Sequence, residues 1–428
     1  MGANRRPRRG TKKRMVHHVT SSLDGSPARP VTVAVIADPA GAYVRGLIAG
    51  ITAFGHDNGR WRFKLYHDHL ATDLPARVRA DRVDGVLARI LDRRIGRGLA
   101  RVGLPLVDML EEIVIPGVPQ IVVDDRAAMR LAVDHLLDRG LTTVAFLGLR
   151  GVRYSEQRCR FLADVSRERA GAFAAYPTGA PRDPLMLRCE DNFRSETRES
   201  IGRWIESLPK PVGIVGCNDV WASMALAACG DRGIDVPEQV AVIGVDDDPV
   251  YGQVADPPLS SVDPDTFTIG YRAAAMLQDL MTGSGAVPAV TLVEPRGVVA
   301  RRSTDVLAFP DASVASLVRY LREHACEGLT VERMSKKLGM SRRTIERLFA
   351  EHVGRSPSEE ICRLRLARVQ SLLETTELDL YEVAQRTGFN YVKSLRRAFK
   401  ARFGMVPAEY RAQRRSPAAG SGRPGRKP

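Results

Sequence analysis

From Pro30 onward, short runs of consecutive Val, Ile and Leu alternate with longer stretches whose apolar positions recur every three or four residues. VTVAVIAD (31–38), RFKLY (62–66), GVLARI (85–90), PLVDM (105–109), QIVVDD (120–125), TTVAFLGL (142–149), VGIVGCND (212–219) and VAVIGVDD (240–247) read as strands. AGAYVRGLIAGITAFGHDNG (40–59) and AAMRLAVDHLLDRG (127–140) read as helices, each ending at a glycine. A strand that is apolar at every position has both faces buried, as in a parallel sheet covered by helices on each side. The alternation runs to RGVVARRSTDV (296–306), longer than one such sheet usually needs, so two doubly wound parallel sheets in two lobes are expected over 30–306.

LAFPDAS (307–313) reads as a linker, and beyond it no strand pattern survives. From Val314 to about Arg414 the pattern is helical and contains a repeat. LTVERMSKKLGMS (329–341) aligns with LDLYEVAQRTGFN (378–390), pairing Leu329 with Leu378, Met334 with Val383 and Gly339 with Gly388. One extra residue then enters the second copy, after which Ile345 pairs with Leu395, Phe349 with Phe399, Gly354 with Gly404 and Pro357 with Pro407. Each copy reads helix, glycine-containing turn, helix. Ser341 and Asn390 are placed to cap the second helix of each copy. SPSEEICRLRLARVQSLLETT (356–376) reads as one rigid helix connecting the two units.

Charge separates these regions. The chain has 428 residues and a net charge of +14, a length of two or three domains. Residues 1–14 carry seven Lys/Arg and no acid, and 15–311 carry 33 basic against 38 acidic residues. The stretch from Ala312 to the end carries 24 Lys/Arg against 12 Asp/Glu. An acidic body therefore bears a basic helical module, the asymmetry expected when one part of a chain binds nucleic acid. The Arg-, Gly-, Ser- and Pro-rich stretch 1–29 is expected to be a disordered basic arm, and 415–428 a disordered tail.

The second helix of each repeat carries cations opposite its apolar face. SRRTIERLF (341–349) offers Ser341, Arg342, Arg343, Thr344 and Arg347; NYVKSLRRAFK (390–400) offers Asn390, Tyr391, Lys393, Arg396, Arg397 and Lys400. A helix fits the DNA major groove, where Arg bonds guanine acceptors and other cations neutralise phosphates. A rigid connector lets two such helices enter successive major grooves about one helical turn apart. Double-stranded promoter DNA is the expected partner. Carried by SRRTIERLF, LRLARVQSLLETT, VAQRTGF and RAFKARFGMVPAEYR, the segment 314–414 resembles the DNA-binding domain of AraC-type transcription regulators. SLRRAF (394–399) departs from that pattern: Leu395 and Arg396 stand where the family more often has an aromatic and Ser.

VAVIADPAGAYVRGLIAGI, VDDRAAMRLAVDHLLDRGLTTVAFLG, CNDVWASMALAACGDRGIDVPEQVAVIGVDDDP and RRSTD resemble the periplasmic-binding-protein-like effector domain of LacI-type repressors. Joined to an AraC-type module, such a domain is similar to the bacterial xylose-operon activators. The fold class implied is a two-lobed α/β periplasmic-binding-protein-like domain followed by an all-α double helix-turn-helix domain. The resemblance implies a small sugar effector, xylose or another pentose foremost, a homodimer, and contact with RNA polymerase if the protein activates.

Clefts in such sheets lie beyond the C-terminal ends of strands. There the sequence places Asp38, Tyr43 and Arg45; Asp124 and Asp125; Asn218, Asp219 and Trp221; and Asp246 and Asp247. Carboxylates accept two sugar hydroxyls, Arg donates to oxygens, and an aromatic covers the ring. By resemblance, Arg158, or Arg160 if the alignment slides by two, corresponds to the effector-binding arginine, Asn218 to the pocket Asn and Asp246 to the pocket Asp. Asp124 is also placed to cap a helix, Asp219 to serve structure, and Tyr43 and Trp221 to pack between lobes.

No nucleophile elbow, P-loop or dinucleotide glycine fingerprint sits at a strand–helix junction, so neither catalytic residues nor a cofactor are expected. Asp246–Asp248 alone do not make a metal site. The six cysteines show no CxxC pair, and no segment approaches the length of a membrane span, so a cytoplasmic protein with free thiols is expected. The alternative reading is a DNA-binding regulator whose sensor takes a non-sugar ligand or none.

Overall fold

The computed structural model describes residues 29–415 apart from 60, 69, 170, 177–194 and 310. Nearly all of the basic arm and of the C-terminal tail, and Cys189, lie outside these residues. The body forms two six-stranded sheets. The first contains β1 (Val31–Ile36), β2 (Trp61–Tyr66), β3 (Gly85–Ala88), β4 (Leu106–Asp108), β5 (Gln120–Val123) and β11 (Val290–Val293), in the order β11-β5-β4-β3-β1-β2 with every pair parallel. The second contains β6 (Thr143–Leu147), β7 (Ala172–Ala175), β8 (Val212–Gly216), β9 (Val240–Val245), β10 (Ser260–Asp263) and β12 (Gly297–Val299), in the order β12-β10-β9-β8-β6-β7. Only β12 runs antiparallel to its neighbour there.

The apolar runs are explained by burial on both faces. Val33 and Val35 enter one core of the first lobe, while Ala34 and Ile36 enter the core on its other face. Helices α1 (Ala42–Asp57), α2 (Leu74–Ala80), α3 (Arg93–Val102) and α9 (Thr266–Thr282) belong to the first lobe. The second is built with α4 (Asp125–Leu137), α5 (Arg153–Glu168), α6 (Ser195–Ser207), α7 (Asp219–Asp231) and α8 (Pro249–Val254). Helices α1 and α9 cross closely because both carry glycine at the contact. A Cβ on Gly50 would lie 2.0 Å from the Phe267 carbonyl oxygen, and one on Gly270 2.0 Å from that of Leu47.

The chain passes between the lobes three times: from β5 into α4, from β10 into α9, and from β11 into β12. These strands are tied to one another. The amide of Asp124 donates to the Val293 carbonyl at 2.8 Å, and that of Arg296 to the Asp263 carbonyl at 2.9 Å. The Arg296 guanidinium also pairs with Asp265 at 3.1 Å.

The helical module comprises α10 (Ala312–His324), α11 (Val331–Leu338), α12 (Arg342–His352), α13 (Pro357–Thr375), α14 (Leu380–Arg386), α15 (Val392–Phe403) and α16 (Pro407–Arg415). It has two cores. Met334, Ile345 and Phe349 lie in the first, and their repeat partners Val383, Leu395 and Phe399 in the second. Helix α13 serves both, giving Ile361 to the first and Leu366, Val369, Leu372 and Leu373 to the second. A full capping box between Ser356 and Glu359 starts it. Arg365 then fastens it to the first unit by donating to the carbonyls of Ala325 (2.8 Å) and Leu329 (2.7 Å). The segment read as a linker is partly packed: Phe309 is buried in the first helical core. The Ala308 amide donates to the Arg139 carbonyl at 2.7 Å, and α10 already begins at Ala312.

Candidate functional site

The strand ends gather charged and aromatic groups between the lobes. Arg158, on the first turns of α5, is 4% exposed. Its Nε donates to Asp125 at 2.7 Å and its Nη1 to the Cys217 carbonyl at 2.5 Å. Its guanidinium lies 5.3 Å from the ring centre of Tyr154, one turn earlier on the same helix. From the first lobe, Arg89 at the end of β3 lies 5.4 Å from the Tyr43 ring centre, and its Nε has no hydrogen-bond partner among the described residues. Burial pushes the Tyr43 phenol up to about 12, and that of Tyr154 well above its usual value, so both are neutral.

Asp246 completes the cluster. It follows β9 with φ of 120°, a backbone that L residues rarely adopt, and Asp247 follows at 48°. Neighbouring groups hold that turn. Asp219 accepts from the Asp248 amide at 2.7 Å and from the Ser261 hydroxyl at 2.6 Å. Asp247 pairs with Arg301 at 2.8 Å. Strain maintained by surrounding bonds is characteristic of functional sites. Burial raises the Asp246 carboxyl to about 7, against the opposing pull of Arg158 and Arg89. The lobes also meet beside the cleft, where the Arg153 amide donates to Glu112 at 3.0 Å and the Ala42 amide to Asp248 at 3.3 Å.

The second face of interest lies on the helical module. Ser341 caps α12 by accepting from the Thr344 amide at 3.1 Å. On α12, Arg342 pairs with Glu332 and Glu346, each at 2.8 Å, and Arg347 with Glu351 at 2.7 Å, while Arg343 makes no ion pair among the described residues. On α15, Lys393, Arg396, Arg397 and Lys400 are all exposed and none has a carboxylate partner among the described residues. Helix α13, about 28 Å long at 1.5 Å per residue, holds α12 and α15 in fixed relation.

A periplasmic binding protein-like domain family matches residues 133–304, and a helix-turn-helix domain family matches residues 334–413. Over 387 residues the chain is 31% identical to the xylose operon regulatory protein of Escherichia coli (strain K12), covering 86% of this chain and 94% of that protein. It belongs to the xylose operon regulatory protein family. The member from Haemophilus influenzae is 29% identical over 300 residues, 69% of this chain and 75% of that one. The solved structure of the xylose-binding transcription activator XylR matches with a TM-score of 0.56 and 26% identity, over 90% of this chain and 99% of that chain. The chain is thus a transcription regulator of the AraC family with a periplasmic-binding-protein-like sensor.

In this xylose operon regulatory protein homologue, Tyr43, Arg158, Asn218 and Asp246 come together at the cleft. The Asn218 side chain donates to the Tyr154 hydroxyl at 3.3 Å while capping α7 at the Trp221 amide. Others sit elsewhere. Asp124 caps α4 by accepting from the Ala127 amide at 3.0 Å, and Asp125 instead meets Arg158. Asp219, 1% exposed, is occupied by the turn beneath Asp246, and Trp221 is buried in the second-lobe core. Arg45 is exposed and donates to the carbonyls of Pro39 and Ala40. Arg160 is likewise on the outer face, donating to the Glu156 carbonyl, so Arg158 is the arginine that reaches the cleft. Asn390 is not a cap: the extra residue of the second unit makes Tyr391 the N-cap, without a side-chain bond. Sequence reasoning passed over Arg89 and Tyr154. An arginine at the end of an otherwise apolar run was the one available sign, and nothing in the sequence marked Tyr154.

Among the described residues, no cluster of His, Cys, Asp and Glu is arranged to hold a metal. No helix there is long and apolar enough to cross a membrane.

Proposed function

We propose that this regulator is a xylose-responsive activator: a pentose binds between the lobes, and its binding changes how the helical module engages promoter DNA. The observation that carries the reading is Arg158, buried and oriented by Asp125 and the Cys217 carbonyl, facing Asp246 on a strained turn. Asp125, Asp246 and Asn218 supply acceptors for adjacent hydroxyls, Arg89 and Arg158 supply donors, and Tyr43 and Tyr154 supply ring faces. Arg89 brings an unused donor, which a ligand oxygen would satisfy. The names of the relatives point to xylose. Domain limits of 30–306 for the sensor and 314–414 for the DNA-binding module belong to the same reading. So do DNA contacts by Ser341, Arg342, Arg343, Thr344, Arg347, Asn390, Tyr391, Lys393, Arg396, Arg397 and Lys400, a homodimer acting on RNA polymerase, and a cytoplasmic location.

Thermal unfolding against a panel of aldopentoses and aldohexoses tests the reading. A ligand of the folded state stabilises by RT ln(1 + [L]/Kd), about 2.7 kcal/mol at one hundred times Kd. One pentose should raise Tm, and Asp246→Ala should abolish the rise. The absence of a shift with every sugar would overturn the sugar assignment and leave the regulator with another effector.

A further inference from the structure

The DNA-binding module does not hang freely from the sensor. Two grips hold α13, the helix that spaces α12 from α15. The first is at the C-terminal end of α4. There Asp138, 7% exposed, accepts from Arg355 and pairs with Arg363 at 3.0 Å, while its carbonyl accepts from Arg322 at 2.7 Å. Both arginines share Glu360, 2% exposed, with Arg363 at 2.7 Å and Arg355 at 3.0 Å. The second grip is Gln370, which donates to the Arg296 carbonyl at 2.9 Å on the third crossover.

The first grip ends a helix that leaves a crossover, and the second lies on a crossover. Helix α4 is the direct continuation of the first crossover. Its N-terminal residue Asp125 holds Arg158 in the cleft, and about 20 Å further along its C-terminal end holds the helical module. Between them Ala128, Met129, Ala132, Val133 and Leu136 are packed into the second-lobe core. At its far end the chain is strapped down. The Arg139 Nε donates to the Thr304 carbonyl at 2.6 Å, and His135 meets the Thr304 hydroxyl at 2.8 Å. A packed helix of this kind is poorly compressible and moves as a body.

We infer that α4 is the rod, and the Asp138–Arg355–Arg363–Glu360 cluster the joint, by which the cleft sets the orientation of the two recognition helices. The inference rests on the sugar reading above and adds its route of transmission. A ligand that engages Arg158 pulls on Asp125 and so on α4, while Arg296 stays held at the crossovers by Asp263 and Asp265. Because α13 is held at both points, it must turn or one grip must release. A buried ionic joint favours discrete arrangements over gradual deformation, since a charge left without its partner there is costly. Coupling between two sites needs an element that both can bias, and α4 touches both.

The test uses the full chain, D-xylose, and an operator selected from random-sequence DNA by the wild-type protein. Two properties are measured: the xylose-induced shift in Tm, and the ratio of operator Kd without and with xylose. The wild-type ratio is expected to be about tenfold, within the usual range of allosteric couplings. Asp138→Asn should keep the Tm shift while the ratio falls below about twofold. Arg363→Gln, which leaves Asp138 paired with Arg355, should reduce the ratio in the same direction and guards against a folding defect in the first variant. If both variants keep the full ratio and the full shift, the joint is overturned and the sugar reading stands. If the wild type shows no shift with xylose, the sugar reading fails, and the coupling fails with it.

Discussion

The two helix-turn-helix units share a core but not a surface. Their buried partners coincide pair by pair, Met334 with Val383, Ile345 with Leu395 and Phe349 with Phe399. Even a backbone detail recurs: the Leu329 carbonyl accepts from Arg365 at 2.7 Å, and that of its repeat partner Leu378 from Arg411 at 2.6 Å. The recognition helices then diverge. Helix α12 carries three arginines and two glutamates, and two of those arginines are held in ion pairs. Helix α15 carries five Lys/Arg and no acid. Unpaired cations release counterions when they meet phosphate and add to affinity and salt dependence. Guanidiniums held by neighbouring carboxylates are already oriented, and gain less by meeting DNA. Packing fixes the fold of a repeat, while the solvent face is free to specialise; on the DNA contacts proposed above, α15 would grip and α12 would read.

The comparison can be broken first at the cores. Phe349→Ala and Phe399→Ala should each cost about 3–5 kcal/mol, measured by denaturant unfolding. Similar costs are expected, because both rings are fully buried; a large inequality would mean that the cores are not equivalent. Next in size is the salt slope. Replacing Lys393, Arg396, Arg397 and Lys400 with Gln should lower the slope of log K against log salt by about 3 to 4. Replacing Arg342, Arg343 and Arg347 should lower it by about 1, and equal slopes would remove the division of labour. At the helix starts, Ser341→Ala should destabilise by about 1 kcal/mol, whereas Tyr391→Ser should stabilise by supplying the missing cap, both read from thermal unfolding. The smallest effect is expected from Glu346→Gln with Glu351→Gln. Freeing Arg347 and leaving Arg342 only Glu332 should strengthen non-specific DNA binding a few-fold at low salt, and a loss of affinity would show that the glutamates themselves serve recognition.

Much of this was legible in the sequence for identifiable reasons. VTVAVI announced a strand buried on both sides because every position after Thr32 is apolar. The repeat announced two units because glycine at 339 and 388 both adopt positive φ, at 65° and 74°, where other residues are strained. The cleft was only partly legible. Asp246 and Arg158 could be placed by strand ends and resemblance, but the duties of Asp124 and Asp219 depend on which amides lie within reach. Arg89 was hidden because a charged residue at a strand end reads as surface until the opposite lobe is in place. The cap of α15 escaped because one inserted residue shifts the helix start by one position, below the resolution of a sequence pattern.

The threefold weaving of the chain between the lobes also bears on how this protein is made. The first sheet is not finished when its first five strands have been synthesised, since β11 must still pair with β5 and α9 must still cover its core. Until β6 to β10 and then β11 have left the ribosome, the edge at Gln120–Val123 lacks its neighbour, and an unpaired strand edge invites association with other chains. The helical module emerges later and closes each core within a short stretch of sequence, as locally wired folds do quickly. The window of risk for the nascent chain thus lies in the sensor's first lobe, where protection during translation would matter most.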